Sequence, residues 1–220
     1  METEQKDSIP WLRKLFSKEV IIIIFLFLTS FLYALFLLQD LSFYMYGFDD
    51  FHLIYQSFNL SFMKIVTSIF LYPLQLYEGF VLTGIYQRAV HGLFIKISYI
   101  LGGLDPSFYH MLRIIFFALT GILVYLFTKK MTKNETVSIA STFWYCSMPI
   151  IYDGLRHIGA AEPFSQFFLL LTLYLFVKFY NYQEKYTEKQ KYIYPLIIFI
   201  LGLFAIKTRE TEIVLLPVIG

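Results

Sequence analysis

The sequence predicts an all-α protein, a polytopic bundle of transmembrane helices with interfacial helices in its first outer loop. Composition points this way, since 58% of the 220 residues are apolar and only 15% are charged. Soluble domains average roughly 45–50% apolar and about 25% charged residues. The mean hydropathy is +0.62. A run of nineteen uncharged residues at 20–38 also nearly spans a hydrocarbon core of about 30 Å.

We interpret the whole chain, 1–220, as a single membrane domain. Some of its apolar runs are short enough for buried helices of a soluble protein, but five in series between charged turns favour membrane spans. The predicted spans are 19–38, 107–128, 135–152, 163–180 and 192–206, with the start of a truncated sixth at 213–220. Residues 39–106 are predicted to form an outer loop with interfacial helices. As an alternative, residues 65–77 dip into or cross the membrane.

Charges in the connections predict the orientation. The N-terminal tail and two alternate connections carry eleven Lys and Arg residues, whereas the short loop 153–162 carries only Arg156. The positive-inside rule then places the N-terminus in the cytoplasm of a multi-pass cell-membrane protein. The net charge of +2 gives no indication of nucleic-acid binding. Arg113, at the start of the second span, could reach the headgroups by snorkelling.

Two adjacent acids, Asp49 and Asp50, follow the first span in "YMYGFDDFHLIY". Neighbouring carboxylates resist joint ionisation, so the pKa of one should rise unless a cation is present. Such a pair suits a general base beside a divalent-metal ligand. The alternative is an ordinary turn in which Asp50 caps a helix, and the spacing alone favours that alternative.

A second set of ionisable residues is predicted on the same side of the membrane. Glu162 begins a helix in "RHIGAAEPF", where it could serve only as a cap, and Arg156 precedes it in the same loop. Lys207 and Arg209 lie between two apolar runs in "LFAIKTRETEIVLLP". They could form local ion pairs in an interfacial loop, or bind a phosphate, which arginine contacts bidentately and lysine as a point charge.

The order of these motifs resembles the integral-membrane glycosyltransferases of the GT-C fold, the group that includes protein O-mannosyltransferases and aminoarabinose transferases. "GFDDFHLIY" resembles the acidic motif of that family's first outer loop, and "LYPLQLY" is similar to an element of the same loop. The stretch 105–176 looks like its second to fourth spans, and "GLFAIKTRETEIVLLP" is similar to a further common segment. Family members usually carry more spans, so the resemblance implies that the chain is an N-terminal part.

The resemblance implies transfer of a sugar from a polyprenyl- or dolichyl-phosphate donor to a glycan, lipid or protein acceptor on the non-cytoplasmic face. Asp49 would deprotonate the acceptor, with Asp50 and Glu162 as further catalytic acids. Lys207, Arg209 and Arg156 would bind the lipid phosphate. Asp50 and Glu162 are candidate ligands for Mg or Mn.

The alternative function is a non-catalytic membrane protein. Such a protein would be a lipid-binding or assembly subunit, or an inactive remnant of the same scaffold. Convergence of Asp49, Glu162 and Lys207 around one cavity would favour the enzyme, whereas scattered carboxylates would favour the alternative.

Overall fold

The computed structural model describes residues 17–38, 54–55, 58–70 and 88–209, the side chains of 150–153 excepted. Over these ranges the chain is helical and contains no strand, which confirms the all-α class. The helices are α1 Lys18–Leu38, α2 Phe62–Phe70, α3 Ala89–Gly102, α4 Pro106–Thr132, α5 Glu135–Cys146, α6 Pro149–Arg156, α7 Glu162–Tyr182 and α8 Glu188–Thr208. A short 3-10 turn, Gln183–Lys185, follows α7.

Four of these helices, α1, α4, α7 and α8, are long and apolar enough to cross a membrane. The apolar runs that predicted spans 19–38, 107–128, 163–180 and 192–206 each lie within one of them. On α1, large apolar side chains remain exposed, including Phe25, Leu32 and Phe36. A surface of this kind suits contact with lipid better than contact with water.

The apolar run at 135–152 forms two helices, where the sequence predicted one continuous span. Helix α5 ends at Cys146, and the N–H of Ser147 donates to the Phe143 carbonyl at 3.0 Å. Pro149 then opens α6. A residue before proline is disfavoured in the helical conformation, and proline has no N–H to donate, so the break falls at Met148.

Helix α4 lies at the centre of the bundle and packs against α1, α3, α5 and α7. Its Gly121 allows a close approach, because an added Cβ there would lie 3.2 Å from the Ser30 hydroxyl of α1. On another side, Phe116 of α4 contacts Phe94 and Phe164, with ring centroids 4.8 and 5.0 Å away. Helices α7 and α8 pack together along their lengths.

Two ends of the bundle can be told apart by their charged contacts. At one end, Lys18 lies 2.6 Å from Glu135, and Lys129 lies 3.0 Å from Glu19. These contacts bring together the start of α1, the end of α4 and the start of α5. We call this end of the bundle the lysine-rich end. The start of α1 and the basic connection between α4 and α5, which were expected on one side of a membrane, therefore lie together.

Helices α2 and α3 belong to the stretch predicted as an outer loop, 39–106. Helix α3 packs against α2, α4 and α8, and its buried face includes Val90, His91 and Ile95. The turn at Gly103 and Leu104 returns the chain into α4, where Asp105 caps the helix by accepting from the Ser107 N–H at 2.9 Å. An interfacial position for these helices stays a prediction.

Candidate functional site

An ion pair between Glu162 and Arg209 lies at the end of the bundle opposite the lysine-rich end. Oε1 of Glu162 is 2.9 Å from Nη1 of Arg209, and the side chains are 23% and 34% exposed. Glu162 lies in the first turn of α7, and Arg209 directly follows α8. Antiparallel packing of α7 and α8 thus joins two predicted site residues that are distant in sequence.

The second carboxylate oxygen of Glu162 has a different environment. Oε2 is buried and has no hydrogen-bond partner among the described residues. The N-cap position, Ala161, provides no side-chain cap to this helix. The position of Glu162 in the first turn suits a negative charge, because the helix dipole is positive there. One oxygen of Glu162 is therefore held by Arg209, and the other is enclosed without a partner among the residues that the structure describes.

Arg113 is almost completely buried beside this ion pair, with 1% of its surface exposed. Its Nη1 donates to the Ile158 carbonyl at 2.7 Å, and its Nη2 donates to the Gly154 carbonyl. The guanidinium also lies 5.8 Å from the ring centroid of Phe164. The expected snorkelling conformation is wrong, because these backbone carbonyls offer the guanidinium acceptors inside the bundle.

Gly154 links Arg113 to Glu162. Its carbonyl accepts from Arg113, and a Cβ added to it would lie 3.4 Å from the Cβ of Glu162. Larger side chains at this position would press on the first turn of α7. Arg113 therefore anchors the end of α6 and the following loop against the helix start that carries Glu162.

Two histidines line the same region. Nδ1 of His110 lies 3.2 Å from the Leu155 carbonyl. The ring of His91 lies 5.9 Å from that of Phe164 and is buried. Burial, followed by the positive charges of Arg113 and Arg88, lowers the pKa of His91 from 6.5 to about 3. His91 is therefore neutral at physiological pH.

The other predicted phosphate ligands lie on neighbouring elements. Lys207 is in the last turn of α8, and Arg156 is the last residue of α6; both are half-buried. Asp49 and Asp50 lie outside the described residues, so their predicted convergence with Glu162 stays a prediction. The structure thus pairs Glu162 with Arg209 and leaves the acidic pair of the first outer loop undescribed.

The metal prediction also rests partly on Asp50. Within the described ranges, no group of three or more His, Cys, Asp or Glu side chains is arranged to hold a metal ion. Glu162 could contribute Oε2, its buried oxygen without a partner among those residues. Mg²⁺ usually takes one or two carboxylates and fills its remaining positions with substrate phosphate and water. One oxygen from Glu162 is compatible with such a site, and the remaining ligands stay a prediction.

A cavity of about 680 Å³ lies elsewhere, between α1 and α5. It is lined mainly by apolar groups, among them Leu26, Tyr33 and Phe143. Of the predicted site residues that the structure describes, none lines it. The cavity is therefore separate from the ion pair.

Sequence reasoning missed the anchoring role of Arg113. A signal existed for Arg113, since it is a charged residue several positions inside a long apolar run. Such residues usually face protein and often mark function.

Comparisons with protein-family models, with curated proteins and with solved structures found no match. They assign this chain to no family. The resemblance of its short motifs to GT-C glycosyltransferases therefore stands as a hypothesis about the site described above.

Proposed function

We propose that this protein is a polytopic membrane glycosyltransferase that transfers a sugar from a polyprenyl- or dolichyl-phosphate donor to an acceptor on the non-cytoplasmic face. The observation that carries the proposal is the ion pair between Glu162 and Arg209, opposite the lysine-rich end. It joins Glu162, a proposed catalytic acid, to Arg209, a proposed ligand of the lipid phosphate, and the resemblance assigns both to one catalytic site. The four apolar helices support a lipid-linked substrate, which would approach within the bilayer.

In the proposed reaction, Asp49 accepts the proton of an acceptor hydroxyl as its oxygen attacks the anomeric carbon. The bond between that carbon and the phosphate oxygen breaks, and the polyprenyl phosphate leaves with the bonding electrons. Arg209 and Lys207 stabilise the charge that develops on the phosphate. Arg209 is suited to this role because Glu162 holds one of its nitrogens and a guanidinium has further N–H donors.

Glu162 acts chiefly by orienting Arg209 in this scheme. Its buried Oε2, together with Asp50, is the proposed contact for a divalent cation. A bound Mg²⁺ or Mn²⁺ would supply positive charge to the departing phosphate. Arg156 provides further positive charge near the same end of the bundle.

One observation favours a second candidate, a non-catalytic membrane protein on the same scaffold. Oε1 of Glu162 and Nη1 of Arg209 lie 2.9 Å apart, and this contact joins α7 to α8 directly. A pair of this kind can act solely as a clamp between α7 and α8. In that case neither residue would contact a phosphate.

The deciding experiment measures release of radiolabelled sugar from polyprenyl-phosphate hexoses and pentoses by membranes containing the full chain. Counting transfer to water as well as to acceptors removes the need to know the acceptor. We expect Asp49→Asn to reduce release at least a hundredfold, since a general base contributes about 10²–10⁴. Glu184→Gln, an exposed acid beyond α7 at the lysine-rich end, is the matched control and should retain full activity.

Arg209→Gln and Arg209→Lys separate the two candidates. A phosphate contact predicts a large loss with Gln and partial recovery with Lys, accompanied by weaker binding of polyprenyl phosphate. If no donor is cleaved and polyprenyl phosphate binds equally to wild type and Arg209→Gln, the glycosyltransferase proposal is wrong and the clamp remains.

A further inference from the structure

Three lysines gather around one tyrosine where α4 and α7 end. Nζ of Lys130 lies 3.8 Å from the ring centroid of Tyr182, and Nζ of Lys185 lies 5.3 Å from it. Lys133 caps the same end of α4, three residues after Lys130. We call Lys130, Lys133 and Lys185 the lysine cluster. It draws on both helix ends, so it depends on the way α4 and α7 pack.

The lysine cluster carries positive charge that no described carboxylate balances. At this end of the bundle, the carboxylates of Glu19 and Glu135 pair with Lys129 and Lys18. Within the described ranges, no salt bridge joins a carboxylate to any lysine of the cluster. Glu184 is next to Lys185 in sequence but is exposed and does not pair with it. Three ammonium groups therefore remain able to bind an anion.

The backbone around the cluster favours cations and fixes their position. Lys133 ends α4 in the left-handed conformation with φ 55, and its N–H donates to the Lys129 carbonyl. Lysines at the C-terminus of a helix are stabilised by the negative end of the helix dipole. The Tyr182 ring lies under Lys130 and restricts where that ammonium can move.

The location of the cluster identifies the kind of anion. Both α4 and the helical stretch Glu162–Lys185 are long and apolar enough to span a membrane, so their ends lie at headgroup depth. Exposed apolar and aromatic side chains, Met131, Tyr180 and Tyr182, lie beside the cluster on the same two helices. An anion that binds here would have its apolar part alongside these side chains.

We propose that the lysine cluster, with Tyr182, binds the phosphate of an anionic phospholipid headgroup whose acyl chains pack along α4 and α7. Lysine contacts a phosphate as a point charge and can approach from several directions. Three lysines on two helices would hold one headgroup between them. A lipid bound in this way would also link the ends of α4 and α7.

The test uses the full chain reconstituted in vesicles of equal parts phosphatidylglycerol and phosphatidylcholine. After mild detergent extraction, mass spectrometry measures the ratio of the two lipids that remain bound. The test variant is Lys130→Gln/Lys133→Gln/Lys185→Gln. The matched control is Lys178→Gln/Lys189→Gln/Lys191→Gln, which removes the same charge from the same end but leaves the cluster intact.

We expect the cluster variant to lose at least about tenfold in phosphatidylglycerol enrichment, since the loss of even one direct hydrogen bond from an ammonium group to a phosphate has roughly that effect. The control should lose clearly less, because its three lysines attract anionic lipid only through the general surface charge. Lys133→Gln/Lys185→Gln, which changes two exposed residues, should give an intermediate loss. This second variant keeps Lys130 on the Tyr182 ring, so its fold is expected to be intact.

Two outcomes would overturn the proposal. Equal losses in the cluster variant and in its matched control would mean that total charge, not this site, attracts the lipid. Displacement of phosphatidylglycerol by inorganic phosphate at equal concentration would mean that the site binds phosphate without need of a lipid. Helicity measured by circular dichroism confirms that each variant is folded before lipid is counted.

Discussion

Oε1 of Glu162 lies 2.9 Å from Nη1 of Arg209, and this contact ties the start of α7 to the end of α8. Both side chains are partly exposed, so solvent screens their attraction. Exposed ion pairs contribute roughly 0.2–1 kcal/mol, and this pair should lie near the upper limit because Oε2 is buried. Its main effect is on the orientation of the Arg209 guanidinium, since Nη1 is held by Glu162 and the other nitrogens are not part of this contact.

We predict a coupling energy of about 1 kcal/mol between these residues in a double-mutant cycle. Glu162→Gln, Arg209→Gln and the double variant would be unfolded by titration with SDS in mixed micelles. The double variant should be more stable than the sum of the single effects predicts, because each single change leaves one charge without its partner. Strict additivity would mean that the two charges do not interact in the protein.

The second prediction concerns Arg113. Arg113→Lys cannot reach the carbonyls of Gly154 and Ile158 in the same forked geometry. We expect a loss of about 1.5–3 kcal/mol in the free energy of unfolding, the contribution of one hydrogen bond from a charged donor. The same SDS titration measures it.

Arg156→Lys is the control for that change, since Arg156 is a half-buried arginine at the same end of the bundle. Its effect should be smaller than that of Arg113→Lys, because the Arg156 side chain is only half-buried. If both variants lose the same stability, burial of Arg113 confers no special role. A loss confined to Arg113→Lys supports its function as an anchor for the loop before α7.

The third prediction is a pH dependence that originates from His91. Its pKa is about 3 in the folded protein, whereas the ordinary histidine pKa of 6.5 applies to the unfolded chain. Between these values the unfolded chain binds a proton that the folded protein does not. The contribution of neutral His91 to the free energy of unfolding is therefore fully present above about pH 6.5. It is lost as the pH decreases from 6.5 towards 3. Going from about pH 7 to about pH 5 should cost about 2 kcal/mol.

His91→Leu should remove this part of the pH dependence, because leucine has no proton to gain. Carboxylates also titrate in acid and contribute to the pH dependence of both proteins. The change in unfolding midpoint between the two pH values is therefore measured for wild type and for His91→Leu, and the two changes are compared. Identical slopes for wild type and His91→Leu would show that His91 is not buried in the neutral form.

The fourth prediction is the orientation of the bundle. Cys146 is the single cysteine of the sequence and is buried, so Cys146→Ala gives a background without thiols. Lys133→Cys marks the lysine-rich end, and the exposed Leu104→Cys marks the opposite end. The positive-inside rule predicts that the lysine-rich end is cytoplasmic.

A membrane-impermeant maleimide should therefore label Leu104→Cys in intact cells and Lys133→Cys only after permeabilisation. The reverse pattern would place the Glu162–Arg209 pair in the cytoplasm. A donor that reaches the outer face could then not be its substrate. Labelling of both positions in intact cells would indicate that the chain does not cross the membrane as predicted.

The sequence by itself determined the helical class and the position of the four long apolar helices. These features are local, because hydrophobicity and length decide which segments can form a membrane helix. The break before Pro149 was also readable from local chemistry, although the run 135–152 was predicted as one span. Counting Lys and Arg in the connections also predicted that the basic connections and the loop before Glu162 lie on opposite sides of the membrane.

Only the tertiary structure decided which polar groups meet. The partner of Glu162 is Arg209. The acceptors of Arg113 are the carbonyls of Gly154 in α6 and of Ile158 just after it, 41 and 45 residues away along the chain. Such contacts depend on the packing of α4, α7 and α8, which hydrophobic patterns specify weakly because all faces of these helices are apolar. The lysine cluster around Tyr182 has the same origin, since two helix ends must lie side by side before their charges can act on one ligand.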